Sequence, residues 1–381
     1  MSTRTRISQP DARAEALVAA YERAGYRRLA PPILQPAEPF LDLSGEDIRK
    51  RMYLTTDSEG RELCLRPDLT IPVSCDYLAS PAAGSAQGFC YLGPVFRHRG
   101  DLPAEFLQAG IESFGRQDKA AADAEMLALG LDAVTHYGIA KPDIRIGDVG
   151  LFTALIAALD LAPAWKRRLV KDFNHKSSLA HDLDLLTLSA ASKRPEYQGV
   201  LAALAGSDPK AARALVTDLL SIAGIIAVGG RSVAEIAERF LEQAALGAST
   251  LLPRETRALI ERFLAITGDP DEAAVELRAL ATDAKLGLNA ALDLFESRTG
   301  FLAARGVDVG RIRFSTAFGR GLDYYTGFVF ELHDASSSAN GPLVAGGRYD
   351  ELLTRLGSKS AIPAVGFAVW IERATAGGGV P

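Results

Sequence analysis

The sequence predicts an α+β fold, in which an antiparallel sheet flanked by helices is interrupted by a mostly helical insertion. Short apolar runs bounded by Gly, Pro or Asp follow one another from Arg61 to Gly115 and return after residue 302. Between them the sequence is rich in alanine and leucine at helical spacing. We therefore predict a core in two parts, 1–150 and 302–376, a helical insertion over 151–301 and a flexible tail over 377–381.

Composition argues against several classes of function. Of the 381 residues, 48% are hydrophobic and 23% charged, and a net charge of -5 gives no global reason to bind nucleic acid. The three cysteines lack CxxC spacing and the five histidines lack HExxH spacing, so no metal and no cofactor are predicted. The sequence contains neither a signal-like start nor a window of about 18 apolar residues, which predicts a cytoplasmic location without a membrane partner.

Local signals predict the elements around this core. The run ARAEALVAAYERAGYRRL predicts an amphipathic helix that ends near Gly25, and the prolines from Pro31 to Pro39 predict an extended segment after it. Antiparallel strands are predicted for ELCLRPDLT, FCYLGPVF and EFLQAGIESFG. Beyond the insertion, strands are predicted for RIRFSTAF and YYTGFVFELHD. The apolar run AVGFAVWIERA predicts a final helix.

The strand EFLQAGIESFG carries the first candidate site. Because side chains in a strand alternate between faces, Leu107, Ala109 and Ile111 point one way, and Gln108, Gly110 and Glu112 point the other. The glycine leaves room for a ligand against the sheet, and the two polar side chains offer acceptors for an ammonium or an imidazole N–H. The alternative is an ordinary solvated polar face.

Three further candidates lie near strand ends. Arg97 follows YLGPVF, where a guanidinium can clamp a carboxylate or a phosphate. Asp68 and Thr70, in LRPDLT, offer a carboxylate for an amino group and a hydroxyl to orient it. The alternatives are a surface arginine and a turn in which Asp68 and Thr70 cap their own backbone.

The run GRGLDYYTGFVFE brings Arg320, Asp323, Tyr324 and Tyr325 to the entrance of an apolar strand, a mixture that suits an amphipathic ligand. Adjacent strand residues point to opposite faces, so only one of the two tyrosines is expected to line a pocket. The glycines of AGGRYD permit close backbone approach. The absence of GxSxG and Walker-type runs argues against the commonest hydrolases and nucleotide triphosphatases.

An ordered series of runs resembles the catalytic core of histidyl-tRNA synthetase, a class II aminoacyl-tRNA synthetase. The runs are GYRRLAPPILQP, RMYLTTDSEGRELCLRPDLT, YLGPVFRHRG, FLQAGIESFG, GRGLDYYTGFVFE, AGGRYDELL and AVGFAVWIER. The resemblance covers nearly all of the chain outside the insertion. It implies the class II antiparallel sheet flanked by helices, and a self-dimer built partly through the first helix and strand.

The same resemblance implies a histidine pocket. Asp68 and Gln108 are expected to face the α-amino group of histidine. Glu112 and Tyr325 are expected to face its imidazole, and Arg320 its carboxylate. The histidine-binding set that the resemblance implies also includes Thr70 and Tyr349. The arginines of the second and third class motifs, which hold ATP in synthetases, correspond to Arg97 and Arg373, predicted here to form a vestigial nucleotide site.

Three departures from the synthetase pattern predict that ATP and tRNA are not used. The chain ends at Pro381, just after the last class motif, so the anticodon-binding domain is expected to be absent. The loop HRGDLPAEFL after Arg97 is shorter than in synthetases and has Arg99 where an acidic residue is usual. Trp370 stands where the synthetase pattern has glycine, and its indole is expected to crowd the nucleotide.

A synthetase-like core with these departures is similar to the regulatory subunits of the short-form ATP phosphoribosyltransferase. That resemblance implies a non-catalytic member of a hetero-oligomer, which activates a short catalytic subunit in the first step of histidine biosynthesis. It also implies histidine as a small-molecule effector in feedback inhibition. The intact run RGLDYY leaves a free-standing histidine-activating paralogue as an alternative, and a truncated synthetase that binds tRNA is a third.

Overall fold

The computed structural model describes residues 12–187, 209–222, 227–228, 231–232, 252–335 and 341–377. The chain divides into two compact units, the first formed by Met1–Leu155 with Arg262–Pro381 and the second by Ile156–Glu261. Of the predicted tail 377–381, Gly377 is the last residue of a helix and the other residues lie outside the described ranges. Within the described ranges, no helix has the length and apolar character needed to cross a membrane.

The described residues form the following helices and strands. The helices are α1 (Ala12–Arg23), α2 (Glu38–Leu43), α3 (Glu46–Arg49), α4 (Thr70–Ala79), α5 (Lys119–His136), α6 (Val149–Ala158), α7 (Pro163–Asp172), α8 (Lys176–Thr187), α9 (Pro209–Ile222), α10 (Arg254–Leu264), α11 (Pro270–Asp283), α12 (Asn289–Ala304), α13 (Leu352–Arg355) and α14 (Ile371–Gly377). The strands are β1 (Arg27–Arg28), β2 (Leu34–Pro36), β3 (Tyr53–Thr56), β4 (Glu62–Leu65), β5 (Gln87–Phe96), β6 (Glu105–Phe114), β7 (Asp143–Asp148), β8 (Ala227–Val228), β9 (Arg231–Ser232), β10 (Thr267–Gly268), β11 (Ile312–Ser315), β12 (Phe328–His333), β13 (Val344–Arg348) and β14 (Ala364–Trp370).

The first unit is built on a sheet with the strand order β1-β5-β6-β14-β13-β12-β7-β11-β10. The six central strands of this order, β5-β6-β14-β13-β12-β7, pair antiparallel with their neighbours, as the sequence predicts for an α+β fold. Helix α5 packs on one face of β12, β13 and β14. There Gly130 allows a close approach, because a Cβ at that position would lie 3.2 Å from Val344 Cγ1. Residues of the opposite parity, such as Ala345, therefore face away from α5.

The final apolar run is a strand for most of its length, so the prediction of a helix over AVGFAVWIERA was wrong for residues 364–370. Strand β14 lies in the middle of the sheet, between β13 and β6, and all its residues but Ala368 are buried. A strand covered on both faces has no polar alternation, and periodicity alone does not separate it from a buried helix. Helix α14 begins only at Ile371.

The early elements differ from the predictions at two points. The run ELCLRPDLT forms β4 only over Glu62–Leu65, in a small separate sheet with β2 and β3, and helix α4 begins at Thr70. Pro39 lies in the first turn of α2 rather than in an extended segment. A proline is compatible with the first turn of a helix, because the first backbone N–H groups of a helix have no partner within the helix.

The helical insertion is placed differently by the structure. The described residues of the predicted insertion are mostly helical, with the short strands β8, β9 and β10 among them, and the second compact unit ends at Glu261 rather than at Phe301. Helices α11 and α12 pack in the first unit, α12 on α5 and α11 on β11. Helices that cover a sheet have the same spacing of apolar residues as helices of a separate unit. The boundary between the two units therefore does not follow from composition.

A buried ionic cluster joins α5, α12, β7 and β13 in the first unit. Arg298 of α12 is 2% exposed, and it donates from Nε to Asp123 at 2.9 Å and from a terminal nitrogen to Asp148 at 2.8 Å. Arg348 of β13 donates from Nε to the other oxygen of Asp123 at 2.8 Å and from a terminal nitrogen to Asp350. The carboxylates thereby have cationic partners, which is the condition for burying charge.

Candidate functional site

A narrow cavity of about 30 Å³ lies on the face of the sheet opposite α5. Strands β6, β13 and β14 form its floor, and the segments around residues 68, 97 and 322 complete the wall. The residues that line it are Asp68, Thr70, Arg97, Gln108, Arg320, Leu322, Tyr324, Tyr325, Ala345, Tyr349, Gly366, Phe367, Ala368 and Trp370. This volume holds about two or three water molecules, which need roughly 10–15 Å³ each by the same measure.

The polar face of β6 is directed into the protein. Gln108 lines the cavity, and Gln108 and Glu112 are each 1% exposed, so the alternative of a solvated polar face is wrong. Gly366 of β14 lies opposite Glu112 in the register, and a Cβ at this glycine would overlap the Glu112 carboxylate. The glycine therefore makes space for the acidic side chain within the sheet.

Three hydroxyl groups surround the Glu112 carboxylate. Oε1 accepts from Thr70 Oγ1 at 2.7 Å and from the Tyr91 hydroxyl at 3.2 Å, and Oε2 accepts from the Tyr349 hydroxyl. Burial raises the pKa of Glu112 to about 8, although the three hydroxyls oppose this shift. Near neutral pH Glu112 can therefore either donate or accept a proton in a hydrogen bond, as an imidazole ligand requires.

Asp68 lines the cavity and has a buried carboxylate oxygen. Its Oδ1 accepts from the backbone N–H of Ile71 at 3.2 Å, so this oxygen makes the backbone cap that was the alternative to a ligand role. Its Oδ2 is buried without a hydrogen-bond partner in the part of the chain that the structure describes. Burial raises the pKa of Asp68, and the charge of Arg97 opposes the rise. An ammonium group would supply the missing donors.

Arg320, in the lining of the cavity, lies between two hydrogen-bond acceptors. A terminal nitrogen donates to the Tyr325 hydroxyl at 2.7 Å, and Nε approaches Glu331 at 3.3 Å. Burial acts to lower the pKa of Arg320, but Tyr325 and Glu331 outweigh it and the pKa is raised. The guanidinium therefore remains charged in a setting where a carboxylate would bind it strongly.

Both adjacent tyrosines line the cavity, so the prediction that only one of them would do so was wrong. Tyr324 and Tyr325 precede β12 instead of lying in it, and their ring centroids are 4.9 Å apart. The rule of alternating faces holds only for extended strand residues, and a turn can direct neighbouring side chains to the same side.

The two arginines of the predicted nucleotide site lie close to the cavity wall. Arg97 is half-buried rather than a surface residue, and its Nε donates to the carbonyl of Pro67 at 2.6 Å. Arg373 donates to the carbonyl of Pro342 at 2.9 Å and lies 5.2 Å from the centroid of the Trp370 ring. Burial and the charges of Arg99 and Arg97 lower the pKa of Arg373.

The structure brings together most of the residues that the sequence singles out. Seven of them line the cavity: Asp68, Thr70, Arg97, Gln108, Arg320, Tyr325 and Tyr349. Glu112 contacts the wall through Thr70 and Tyr349, and Arg373 lies behind Trp370. The sequence analysis missed Tyr91 and Glu331. An acidic residue inside the apolar strand FVFELH was a usable signal for Glu331, whereas Tyr91 lay in a run without polar alternation.

The lining of the cavity combines acceptor groups with cationic groups. Asp68 and Gln108 offer acceptor oxygens, and Arg97 and Arg320 offer guanidinium groups. A ligand with both an ammonium and a carboxylate would find a complementary group for each. The arrangement is therefore suited to a free amino acid with a polar side chain.

Comparison with known proteins identifies the class. The family model described as histidyl-tRNA synthetase matches residues 6–229 and 211–374. An ATP phosphoribosyltransferase regulatory subunit/histidyl-tRNA synthetase from Bacillus halodurans has a TM-score of 0.66 at 21% identity, over 100% of this chain and 84% of that one. For histidyl-tRNA synthetase from Nostoc the TM-score is 0.61 at 19% identity, over 99% of this chain and 74% of that one. The fold is that of a class II aminoacyl-tRNA synthetase, as predicted.

Sequence relatives narrow the class to one family. The ATP phosphoribosyltransferase regulatory subunits of Brucella canis and Brucella suis are each 44% identical over 346 residues, which is 90% of this chain and 90% of theirs. This chain therefore belongs to the histidyl-tRNA synthetase-like family and, within it, to the ATP phosphoribosyltransferase regulatory subunits. The resemblance stated from the motifs is confirmed.

Proposed function

We propose that this chain is a non-catalytic regulatory subunit that binds a short catalytic subunit of ATP phosphoribosyltransferase and raises its rate. The observation that carries this proposal is the 44% identity, over 90% of the chain, to relatives named as regulatory subunits. The working assembly is a hetero-oligomer in the cytoplasm, in which this chain forms a self-dimer. The catalytic subunit transfers phosphoribosyl from PRPP to ATP, the first step of histidine biosynthesis.

The surroundings of Trp370 support a non-catalytic role. Its indole lies in the cavity wall, at the position where the synthetase motif has glycine, and Arg373 stacks against it. Arg97 and Arg373 each donate to a backbone carbonyl of the protein. A nucleotide would have to displace the indole and compete for both guanidinium groups, so adenylate formation is disfavoured.

Free histidine is the effector that we propose for the cavity. Its ammonium would donate to Asp68 Oδ2, which is buried without a partner among the described residues, and to Gln108. Its imidazole would exchange a hydrogen bond with Glu112 and Tyr325, and its carboxylate would accept from Arg320. Because a cavity of about 30 Å³ is too small for an amino acid, binding requires the wall to move. The segment 316–327, which contributes Leu322 and the two tyrosines, has no helix or strand to hold it.

Mixing experiments test the regulatory assignment. The purified chain alone is expected to form no phosphoribosyl-ATP, and adding it to a short catalytic chain is expected to raise that chain's rate and to give a joint peak in size-exclusion chromatography. Albumin at the same concentration serves as the control for non-specific stabilisation. An unchanged rate at a saturating ratio, together with separate peaks, would contradict the assignment.

Calorimetric titration of the isolated chain with histidine tests the effector. We expect binding by the wild type and at least about a tenfold loss in Arg320→Ala, which corresponds to only about 1.4 kcal/mol. Charge-assisted hydrogen bonds contribute roughly 1.5–3 kcal/mol each, so the loss of one such contact is enough to weaken binding about tenfold. Arg313→Ala, which removes an exposed arginine of β11, is the matched control and should bind as the wild type does. Equal affinities in all three chains would rule out this pocket.

A histidine-activating enzyme is the second candidate function. The run with Arg320, Tyr324 and Tyr325 is intact, and it lines the cavity together with Asp68 and Gln108. Histidine-dependent exchange of pyrophosphate into ATP distinguishes the two candidates. Exchange by the pure chain that disappears in Arg320→Ala would favour the enzyme over the regulatory subunit.

A further inference from the structure

Three polar side chains form a chain of contacts beside the cavity. Glu331 and His333 belong to β12, whose other residues are apolar and buried, and being two positions apart they lie on the same face. Glu331 pairs in the sheet with Ala345, which lines the cavity. Glu331 therefore lies on the cavity face of the sheet, next to Arg320.

Each oxygen of Glu331 has its own donor. Oε1 is 3.3 Å from Nε of Arg320, and Oε2 is 3.0 Å from Nε2 of His333. The side chain of Glu331 is 19% exposed, and those of Arg320 and His333 are each 10% exposed. Burial acts to raise the pKa of Glu331, but His333 and Arg320 outweigh it and hold the pKa below its usual value. The carboxylate is thus an anion fixed from two sides.

We propose that Glu331 positions the guanidinium of Arg320 to receive the carboxylate of the amino-acid ligand, and that His333 positions Glu331. This inference rests on the proposed function of the cavity as an amino-acid site. Glu331 itself does not touch the ligand in this account. It acts only through Arg320.

The donors of Arg320 are divided in a way that suits this role. A guanidinium has five N–H groups, of which Nε faces Glu331 and one terminal N–H donates to Tyr325 at 2.7 Å. The remaining three N–H groups belong to the two terminal nitrogens, which are the pair that a carboxylate can bridge. A long side chain that is already held loses less freedom when the ligand arrives, so the contact is more favourable.

The opposite effect of Glu331 is also physically possible. An anion beside Arg320 could compete with the ligand carboxylate for the same guanidinium, and its removal would then strengthen binding. The two effects differ in sign, so a single isosteric substitution separates them.

The experiment compares two ligands that differ only at the carboxylate. Histidine and histidinol, in which a hydroxymethyl group replaces the carboxylate, are titrated calorimetrically into the full-length wild type and Glu331→Gln. We expect Glu331→Gln to weaken histidine binding about tenfold and to change histidinol binding less than about twofold, because only histidine uses the charged contact to Arg320. Glu62→Gln, an exposed glutamate on a strand of the smaller sheet, is the control and should leave both affinities unchanged.

Substitutions of His333 provide an independent test. His333→Gln retains an N–H donor for Glu331 and should stay close to the wild type, whereas His333→Leu should lose histidine affinity and keep histidinol affinity. Circular dichroism of each variant establishes that it is folded before titration. This pair keeps the proposal testable if Glu331→Gln does not fold.

The outcomes separate the two proposals. Wild-type binding of histidine with unchanged or stronger binding by Glu331→Gln overturns the positioning role and leaves the cavity assignment standing. An equal loss for histidine and histidinol means that Glu331 supports only the local structure, which also overturns the role. If the wild type binds neither ligand, the cavity assignment fails and the positioning role fails with it.

Discussion

At the scale of single residues, Glu112 is an acidic group in a buried environment. Its carboxyl group is 1% exposed and its pKa is about 8, because burial outweighs three hydroxyl donors. Such a group is protonated in the folded protein over a pH range in which the unfolded chain has already lost the proton. Glu112 therefore links the stability of the fold to pH.

The expected sign of this linkage is a loss of stability with rising pH. The unfolded chain releases the Glu112 proton near its ordinary pKa of about 4.3, and the folded chain releases it near 8. Between these values the folded state binds more protons, so the free energy of unfolding falls, by several kcal/mol at roughly 1.4 kcal/mol per pKa unit. In Glu112→Gln this contribution is absent, and the variant should gain stability relative to the wild type as the pH rises.

Urea unfolding of both chains at about pH 5, 7 and 9 measures the difference. Glu105→Gln, at the exposed start of the same strand, is the control and should follow the wild type at every pH. A difference between wild type and Glu112→Gln that stays constant with pH would show that burial does not hold the proton on this group.

The sequence predicts the residues of the cavity better than their contacts. Gln108 and Glu112 follow from alternation within one strand, and both proved to be directed into the protein. The hydroxyl of Tyr91 reaches Glu112 from β5, where Tyr91 lies opposite Gly110. A partner of this kind depends on the register between strands, which no single run of sequence specifies.

At the scale of elements, Arg298 ties helix α12 to the rest of the first unit. It reaches α5 through Asp123 and the end of β7 through Asp148, and it is 2% exposed. In Arg298→Met the volume is nearly kept while Asp148 loses its cation. We expect the free energy of unfolding to fall by roughly 3–5 kcal/mol, the cost of leaving a buried charge without its partner. Chemical denaturation of the two chains provides the measurement.

Arg278 offers a matched control for this substitution. It too lies on a helix, α11, and it too bridges two carboxylates, Asp293 and Glu296, but in an exposed setting. Arg278→Met should change stability little, because exposed ion pairs are screened by water. A similar decrease in the free energy of unfolding in both variants would contradict the importance that we assign to burial.

The elements also show where sequence patterns stop being informative. Amphipathic segments such as α1 were predicted correctly, because one face is apolar and the other is polar. Strand β14 was predicted as a helix, because it is buried between β6 and β13 and carries apolar residues on both faces. What identifies it as a strand is the pairing with its neighbours, for example Gly366 opposite both Glu112 and Gly347. Those neighbours are far away in the sequence.

At the scale of the whole molecule, the cavity depends on two distant parts of the chain. Strand β6 comes from the first part of the core, whereas β13 and β14 follow the helical segments by some forty residues or more, after Ala304. Strand β14 is inserted directly beside β6 in the sheet. Neither half of the core therefore contains a complete site, and the order of the motifs in the sequence indicated the site only because the family pattern as a whole was present.

Trp370 has a consequence for how the molecule can be observed. The chain contains only two tryptophans, Trp165 in α7 and Trp370 in the wall of the cavity. In a Trp165→Phe chain, the tryptophan fluorescence would come from a single indole, which lies beside Arg373 in the wall of the cavity that we propose for histidine. On that proposal the indole is an optical reporter within the protein, and stopped-flow emission would follow the binding of unlabelled histidine in real time.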